Sequence, residues 1–406
     1  MKRRVIILLY LLAVNLSAFS IIPQLSEKSQ VSLLTCSPNT DATYALFGHT
    51  GLRVFDDSLD INVVFDYGVF DFNSDNFIYR FVKGETDYKI GDRLFSRFLF
   101  EYTFRESGVE EQVLNLTLEE KQSIFDALLI NLKPENRVYR YNFFYDNCST
   151  RPRDVVQQNI KGEIEFKPYT SEQTYRDLLD ECLILTPWTR FGINLVIGSG
   201  ADKVINERQK DFLPSYVSTA FNHAEIVSAN GEKRPLVLKQ TDLLKPAGSA
   251  LELVEAKEIG YRAPNTPLYV GIVLVMLSVL ITYLVRSREM FILGKVFDSI
   301  LFILAGLAGC IIFFLMFFSE HPCVDANWNL MWLNPLALLF GLFFFVKIAS
   351  KCVIYYHFVN FATLTLFLLC IPFISQTIEI AFIPYILALG LRSVGNILEY
   401  KQMKQK

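Results

Sequence analysis

After Pro267 the chain turns into long apolar runs: residues 268–285, 299–318, 333–348, 352–374 and 378–394. Each approaches the length that a helix needs to cross the hydrocarbon layer, the third being short for an untilted span. Backbone polar groups find no water in a bilayer, so stretches of this kind fold as helices. An odd number of spans puts the two chain ends on opposite sides. Lys and Arg set the direction: Arg286, Arg288 and Lys295 lie in the first connection, Lys347 and Lys351 in the third, and Lys401, Lys404 and Lys406 at the end. The second and fourth connections, 319–331 and 375–377, carry neither residue type. The positive-inside rule therefore puts the first part of the chain outside the cytoplasm and the C-terminus within it.

The beginning fits an exported protein. Lys2-Arg3-Arg4, an apolar run from Val5 to Val14 and the small residues around Ser17 and Ala18 read as a signal peptide over 1–20. Most of the charged residues lie before residue 263, so 21–262 reads as a mixed α+β domain, 263–400 as an all-α transmembrane domain of five helices, and 401–406 as a cytoplasmic tail. A net charge of -3 argues against nucleic acid as partner. Thr117 and Glu120 form a capping box for a helix reaching about Leu132, and residues 138–145 read as a strand. A helix is expected over 175–185, ended by Pro187-Trp188-Thr189-Arg190, and a hairpin with a charged connector over 228–260.

The strand over 138–145 leads into YNFFYDNCSTRPRD, residues 141–154. The polar run after the aromatics continues as a helix, which puts Cys148 at a helix start with Asn147 as its cap and Pro152 near the first turn. Unpaired N–H groups and the positive end of the helix dipole favour a thiolate there. A nucleophilic thiol needs a base, and the chain has four histidines. His49 lies in FGHTGLRVF, which alternates as a strand does, and INVVFDYGVF follows across the turn at 56–60. A hairpin centred near Ser58 and Leu59 brings Asp66 to the face of His49, one diagonal step away, where it would orient the imidazole. A strand histidine satisfied by neighbouring polar groups is the alternative.

A strand His followed about a hundred residues later by a Cys at a helix start reverses the usual papain-like order. It resembles the circularly permuted NlpC/P60-like, papain-like fold, whose members include lecithin:retinol acyltransferase-like enzymes. TCSP at Cys36, FGHTGLRV, DYGVFDF, YRYNFFYDNCSTRPRD and PW..FGINLVIG more closely resemble the periplasmic domain of the Lnb-type lipoprotein N-acyltransferases. The resemblance runs from about Leu33 to Gly198, and the apolar second half agrees in layout. Asp66 stands where Asn is expected in such proteins, which leaves the orienting role open. The resemblance implies an acyl-enzyme at Cys148 with His49 as base, a phospholipid acyl donor, an apolipoprotein acceptor and a place in the bacterial inner membrane.

Further residues are weighed with that chemistry in view. Tyr44 and the Cys148 backbone N–H are candidate oxyanion donors, and Asn147 a candidate positioning residue. Arg151 and Arg153 are candidates for a lipid phosphate, with pairing to a domain carboxylate as the alternative. In the second connection Glu320, His321 and Asp325 are candidates for a lipid headgroup or an incoming amine, against a solvated loop with Trp328 and Trp332 as interfacial anchors. Of Cys36, Cys182 and Cys323, two can pair if Cys148 stays free, and Cys36 with Cys182 is the expected disulfide. No CxxC or HExxH spacing points to a metal, and no glycine-rich loop to a nucleotide cofactor. A membrane-tethered cysteine peptidase or amidase acting on cell-wall peptides is the competing function.

Overall fold

A computed structural model describes residues 23–70, 75–167 and 172–405; the expected signal peptide and Lys406 lie outside the described residues. Seven strands, β1 (Gln30–Cys36), β2 (His49–Asp56), β3 (Ile61–Val69), β4 (Asp87–Leu94), β5 (Val109–Leu114), β6 (Val138–Arg140) and β7 (Val237–Leu244), form an antiparallel sheet in the order β7-β5-β1-β2-β3-β4-β6. Alternation along the strands feeds two cores. Leu33, Leu52, Val54 and Phe65 meet Ile124 and Leu128 of the Leu118–Leu132 helix and Val156 of the Thr150–Gln158 helix. On the opposite face Leu34, Cys36 and Val64 meet Phe98 and Tyr102 of the Phe95–Phe104 helix. Full burial of each large apolar side chain stabilises the domain by about 1.5–3 kcal/mol.

The β2–β3 hairpin turns where the sequence puts it: Asp56 pairs with Ile61 and Gly51 with Asp66, so the turn is centred between Ser58 and Leu59. The Thr117–Glu120 capping box is also present. Three expectations are corrected. Only Val138–Arg140 of the run before Cys148 is strand, because Asn142 and Asp146 bond each other's backbone and the Asn142 side chain takes the Phe144 and Tyr145 N–H groups, closing a turn. Pro187 opens a helix, Pro187–Val196, with its missing N–H at a position that needs none. A short hairpin does turn at 228–232, pairing Glu225–Val227 with Lys233–Pro235, but Val237–Leu244 beyond it is the sheet's edge beside β5, and the expected connector holds a helix, Gly248–Glu258.

The second half is helical: Thr266–Arg288, Phe291–Phe318, Leu336–Phe343, Ser350–Cys370 and Phe382–Gln405. By length and composition three segments suffice to cross a membrane: Thr266–Arg288, Phe291–Phe318 and Ser350–Phe373. The third apolar stretch holds only the short Leu336–Phe343 helix. It packs closely on its neighbour because Gly306 and Gly309 have no side chain; a Cβ there would lie 2.0 Å from Leu338 N and 2.1 Å from Leu333 O. The last helix runs past its apolar stretch to Gln405 and carries Arg392, whose charge is met by Asp298 at 2.6 and 2.8 Å.

The two halves are joined by the second and fourth connections. Asn327 Nδ2 donates to Leu195 O and Val196 O at 2.9 and 3.0 Å, Gln376 Nε2 to Ile197 O at 3.2 Å, and Gly198 N to Cys323 O at 2.7 Å. Phe191 stacks edge-on against Phe382. The Pro187–Val196 helix thus seats the sheet domain on the bundle. Trp332 is buried in this bundle, donating to Asn329 Oδ1, and is no interfacial anchor, whereas Trp328 is exposed.

Candidate active site

His49 opens β2 and points to the face of the sheet that carries Asp66. Its Nε2 lies 2.9 Å from Asp66 Oδ1, which leaves Nδ1 for the sulfur of Cys148. Asp66 is buried and held from behind by Arg93 Nε at 2.6 Å from Oδ2. Arg93 in turn pairs with Glu101, which Arg105 also meets. Arg93 stands on β4, two residues beyond Gly91, the cross-strand partner of Asp66. It therefore reaches Asp66 by the same diagonal step that joins Asp66 to His49.

Cys148 sits on the turn just before the Thr150–Gln158 helix. Asn147 builds that turn: its Oδ1 accepts from Ser149 N and Thr150 N at 2.8 and 2.9 Å, and its Nδ2 donates to Phe143 O and Phe212 O, both at 2.8 Å. Every polar atom of the Asn147 side chain is engaged, so it positions the thiol and has no donor left for an oxyanion. Among the described residues no acceptor takes the Cys148 N–H. A β-bulge between Asp66 and Val69 brings Gly68, at φ +87°, against the thiol; a Cβ at Gly68 would lie 3.3 Å from Tyr141 Cε2 and 3.4 Å from Cys148 Cβ.

These contacts shift the protonation of both partners. Burial alone would neutralise His49, but its bonds to Asp66 and Cys148 outweigh this and raise its pKa to about 10. Burial likewise disfavours the Cys148 thiolate, and the His49 imidazolium, then the Ser149 and Tyr141 hydroxyls, lower its pKa below the ordinary thiol value. Burial keeps the Tyr141 hydroxyl protonated and so a donor. Both shifts favour a thiolate at Cys148 opposite an imidazolium at His49. Cys36, directly across from His49 in the β1–β2 register, goes the other way: burial pushes its thiol far up.

Other expected site residues lie elsewhere or are committed. Cys36 and Cys182 are free thiols in separate apolar clusters on different elements, so the expected disulfide is not formed. Arg151 makes a two-pronged bond to Asp146 at 2.6 and 2.7 Å and lies over the Tyr139 ring. Arg153 is buried against Asp154, Asp211 and the Arg208 carbonyl. Both guanidiniums serve the domain's own carboxylates, and a lipid phosphate would have to displace these. Tyr44 is exposed, with its ring against Phe70 and the Arg105 guanidinium, and Tyr141 is the tyrosine at the sulfur. Glu320 bonds Arg140 at 2.6 Å and Lys83 O at 2.7 Å, His321 bonds Phe81 O at 2.7 Å, and Asp325 lies against Gly198 and Gly200. These three residues tie the bundle to the sheet domain.

Arg93, Tyr141 and Ser149 were missed by sequence reasoning. Arg93 was open to the diagonal rule once β4 was recognised; nothing in the run of aromatics distinguishes Tyr141.

Fold and site together define a class: a membrane protein whose extramembrane sheet domain joins a thiol, an imidazole and a carboxylate at one end of the sheet. Residues 24–181 match the family model of the Lnb N-terminal periplasmic domain, and residues 260–403 match that of the Lnb transmembrane domain. The protein belongs to the Lnb family, with a periplasmic domain followed by a transmembrane domain in the inner membrane. No curated protein and no solved structure matches it significantly.

Proposed function

We propose that the protein is a lipoprotein N-acyltransferase with a cysteine nucleophile. The Cys148 thiolate attacks the carbonyl carbon of a phospholipid acyl ester, and the tetrahedral oxyanion is met by the Cys148 N–H. The ester C–O bond breaks, the His49 imidazolium gives its proton to the departing glycerol oxygen, and a lysophospholipid leaves. The α-amine of a diacylglyceryl-cysteine at the start of an apolipoprotein then attacks the thioester. Neutral His49 takes the amine proton, the C–N bond forms, the C–S bond breaks, and the thiolate and imidazolium are restored. Asp66, oriented by Arg93, holds the imidazole and balances its charge through both halves.

The observation that carries this reading is the His49–Asp66 bond beside a thiol whose protonation is lowered, on a domain seated on a bilayer-spanning bundle. Both substrates are lipids, and a site at bilayer height receives them without extraction into water. The C-terminus lies in the cytoplasm, a reading supported by Arg286, Arg288 and Lys351 on the side away from the sheet domain.

The test is incubation of the purified protein with phospholipid vesicles and a synthetic lipopeptide bearing a diacylglyceryl-cysteine with a free amine. The expected products are the N-acylated lipopeptide and an equal amount of lysophospholipid. Release of free fatty acid with the lipopeptide unchanged, or cleavage of a peptide bond, would contradict the proposal.

A further inference from the structure

The Phe77–Lys83 helix is apolar on its outer side. Ile78 and Tyr79 are 78% and 59% exposed, and Phe81 and Val82 are exposed beside them. Single exposed apolar side chains are ordinary, but four in a helix of seven residues form a patch. The helix is fixed to the end of a membrane span. Lys83 O accepts from Glu320 N at 2.7 Å and Phe81 O bonds His321 at 2.7 Å. Gly84, at φ +81°, lets the chains meet: a Cβ there would lie 2.8 Å from His321 N. Glu320 and His321 follow the Phe291–Phe318 helix, whose Phe313, Phe317 and Phe318 are exposed. The outer face of the short helix thus continues the lipid-facing surface of the span. Arg80 and Lys83, paired with Asp87 and Glu85, supply the charged rim that a helix at the headgroup boundary carries.

From this helix a row of rings leads inward. Phe81 meets Phe77, Phe77 meets Phe70, Phe70 meets Tyr88 and Tyr88 meets Tyr141, with centroids 6.0, 6.4, 5.1 and 4.7 Å apart. Tyr141 ends the row with its hydroxyl at the Cys148 sulfur. We propose that the Phe77–Lys83 helix is immersed in the outer-leaflet boundary of the bilayer, and that the ring row from Phe77 to Tyr141 is the track along which a bilayer lipid's acyl chain reaches Cys148. The first half stands on geometry alone; the second rests on the acyl-donor reading above. The continuity with the span favours lipid over an apolar partner protein as the occupant.

Two measurements on the full chain in phosphatidylethanolamine–phosphatidylglycerol nanodiscs test this. Tyr79→Trp is compared with wild type in nanodiscs with and without acyl-chain-brominated lipid. The emission added by the new Trp should be quenched by the bromines; added emission that is not quenched puts the helix in water or under a protein and overturns the immersion. The Phe70→Gln/Phe77→Gln variant, which interrupts the ring row, should then lose about tenfold in the rate of Cys148 acylation from the bilayer, the cost of two apolar contacts. Its alkylation by water-soluble iodoacetamide should stay at the wild-type rate, which also reports that the site is folded. An unchanged acylation rate would overturn the track. Absence of acylation in wild type would remove the donor reading and the track together, while quenching would still decide where the helix lies.

Discussion

His49 and Cys148 each stabilise the charged form of the other, and Asp66 supplies the charge that makes the arrangement hold. Replacing Asp66 by Asn keeps the shape but removes that charge. The imidazolium then loses its proton at lower pH, and the thiolate, no longer opposite a cation, forms at higher pH. Asp66→Asn should therefore move the midpoint of Cys148 alkylation by iodoacetamide to higher pH, and an unmoved midpoint would remove Asp66 from the site. Tyr141→Phe deletes one hydrogen bond to the sulfur, worth about 1.5–3 kcal/mol when the acceptor is charged. The same midpoint should rise. Catalysis needs thiolate and imidazolium together. Its pH profile should be a bell, with an acid limb set by protonation of Cys148 and an alkaline limb where His49 loses its proton, near pH 10.

The turn from Asn142 to Thr150 is the element on which this chemistry depends, and it is built almost wholly from local hydrogen bonds. Asn147→Ala would leave two helix-start N–H groups and two carbonyls without their partner, at a cost of about 2–4 kcal/mol. A lower unfolding midpoint in detergent, together with slower Cys148 alkylation, is the expected result; normal alkylation would mean that the turn holds without its cap. Much of this element was legible in the sequence. Asn147, Cys148 and the following helix follow from capping rules, and the hairpin that pairs His49 with Asp66 follows from alternation and a short turn. The strand assigned to residues 141–145 did not survive, because the Asn142 side chain captures two backbone N–H groups that a strand would need. The bulge at Gly68 and the pairing of Arg151 with Asp146 depend on three-dimensional placement that no periodicity records. The Cys36–Cys182 expectation failed for a related reason: counting thiols says how many can pair, not which elements bring them together.

At the scale of the whole molecule the two halves are locked through the connecting loops and through the Pro187–Val196 helix, whose Phe191 packs on Phe382 of the last helix. Asn327 bonds two carbonyls at the end of the Pro187–Val196 helix and also accepts from Gln376. Asn327→Ala should leave buried carbonyls unpaired, at about 1–3 kcal/mol each, and speed hydrogen exchange in residues 319–331 and 193–198 while the sheet core keeps its protection. Uniform exchange across both halves would show that the loops are not the lock. On the proposed reading this seating lets the thiol take an acyl chain from the bilayer. The direct test is intact-mass spectrometry of the wild type and of Cys148→Ser after incubation with phospholipid vesicles, followed by hydroxylamine. The expected result is a gain of one acyl chain on the wild type alone, removed by hydroxylamine. No adduct on a protein whose Cys148 still reacts with iodoacetamide would contradict the acyl-enzyme.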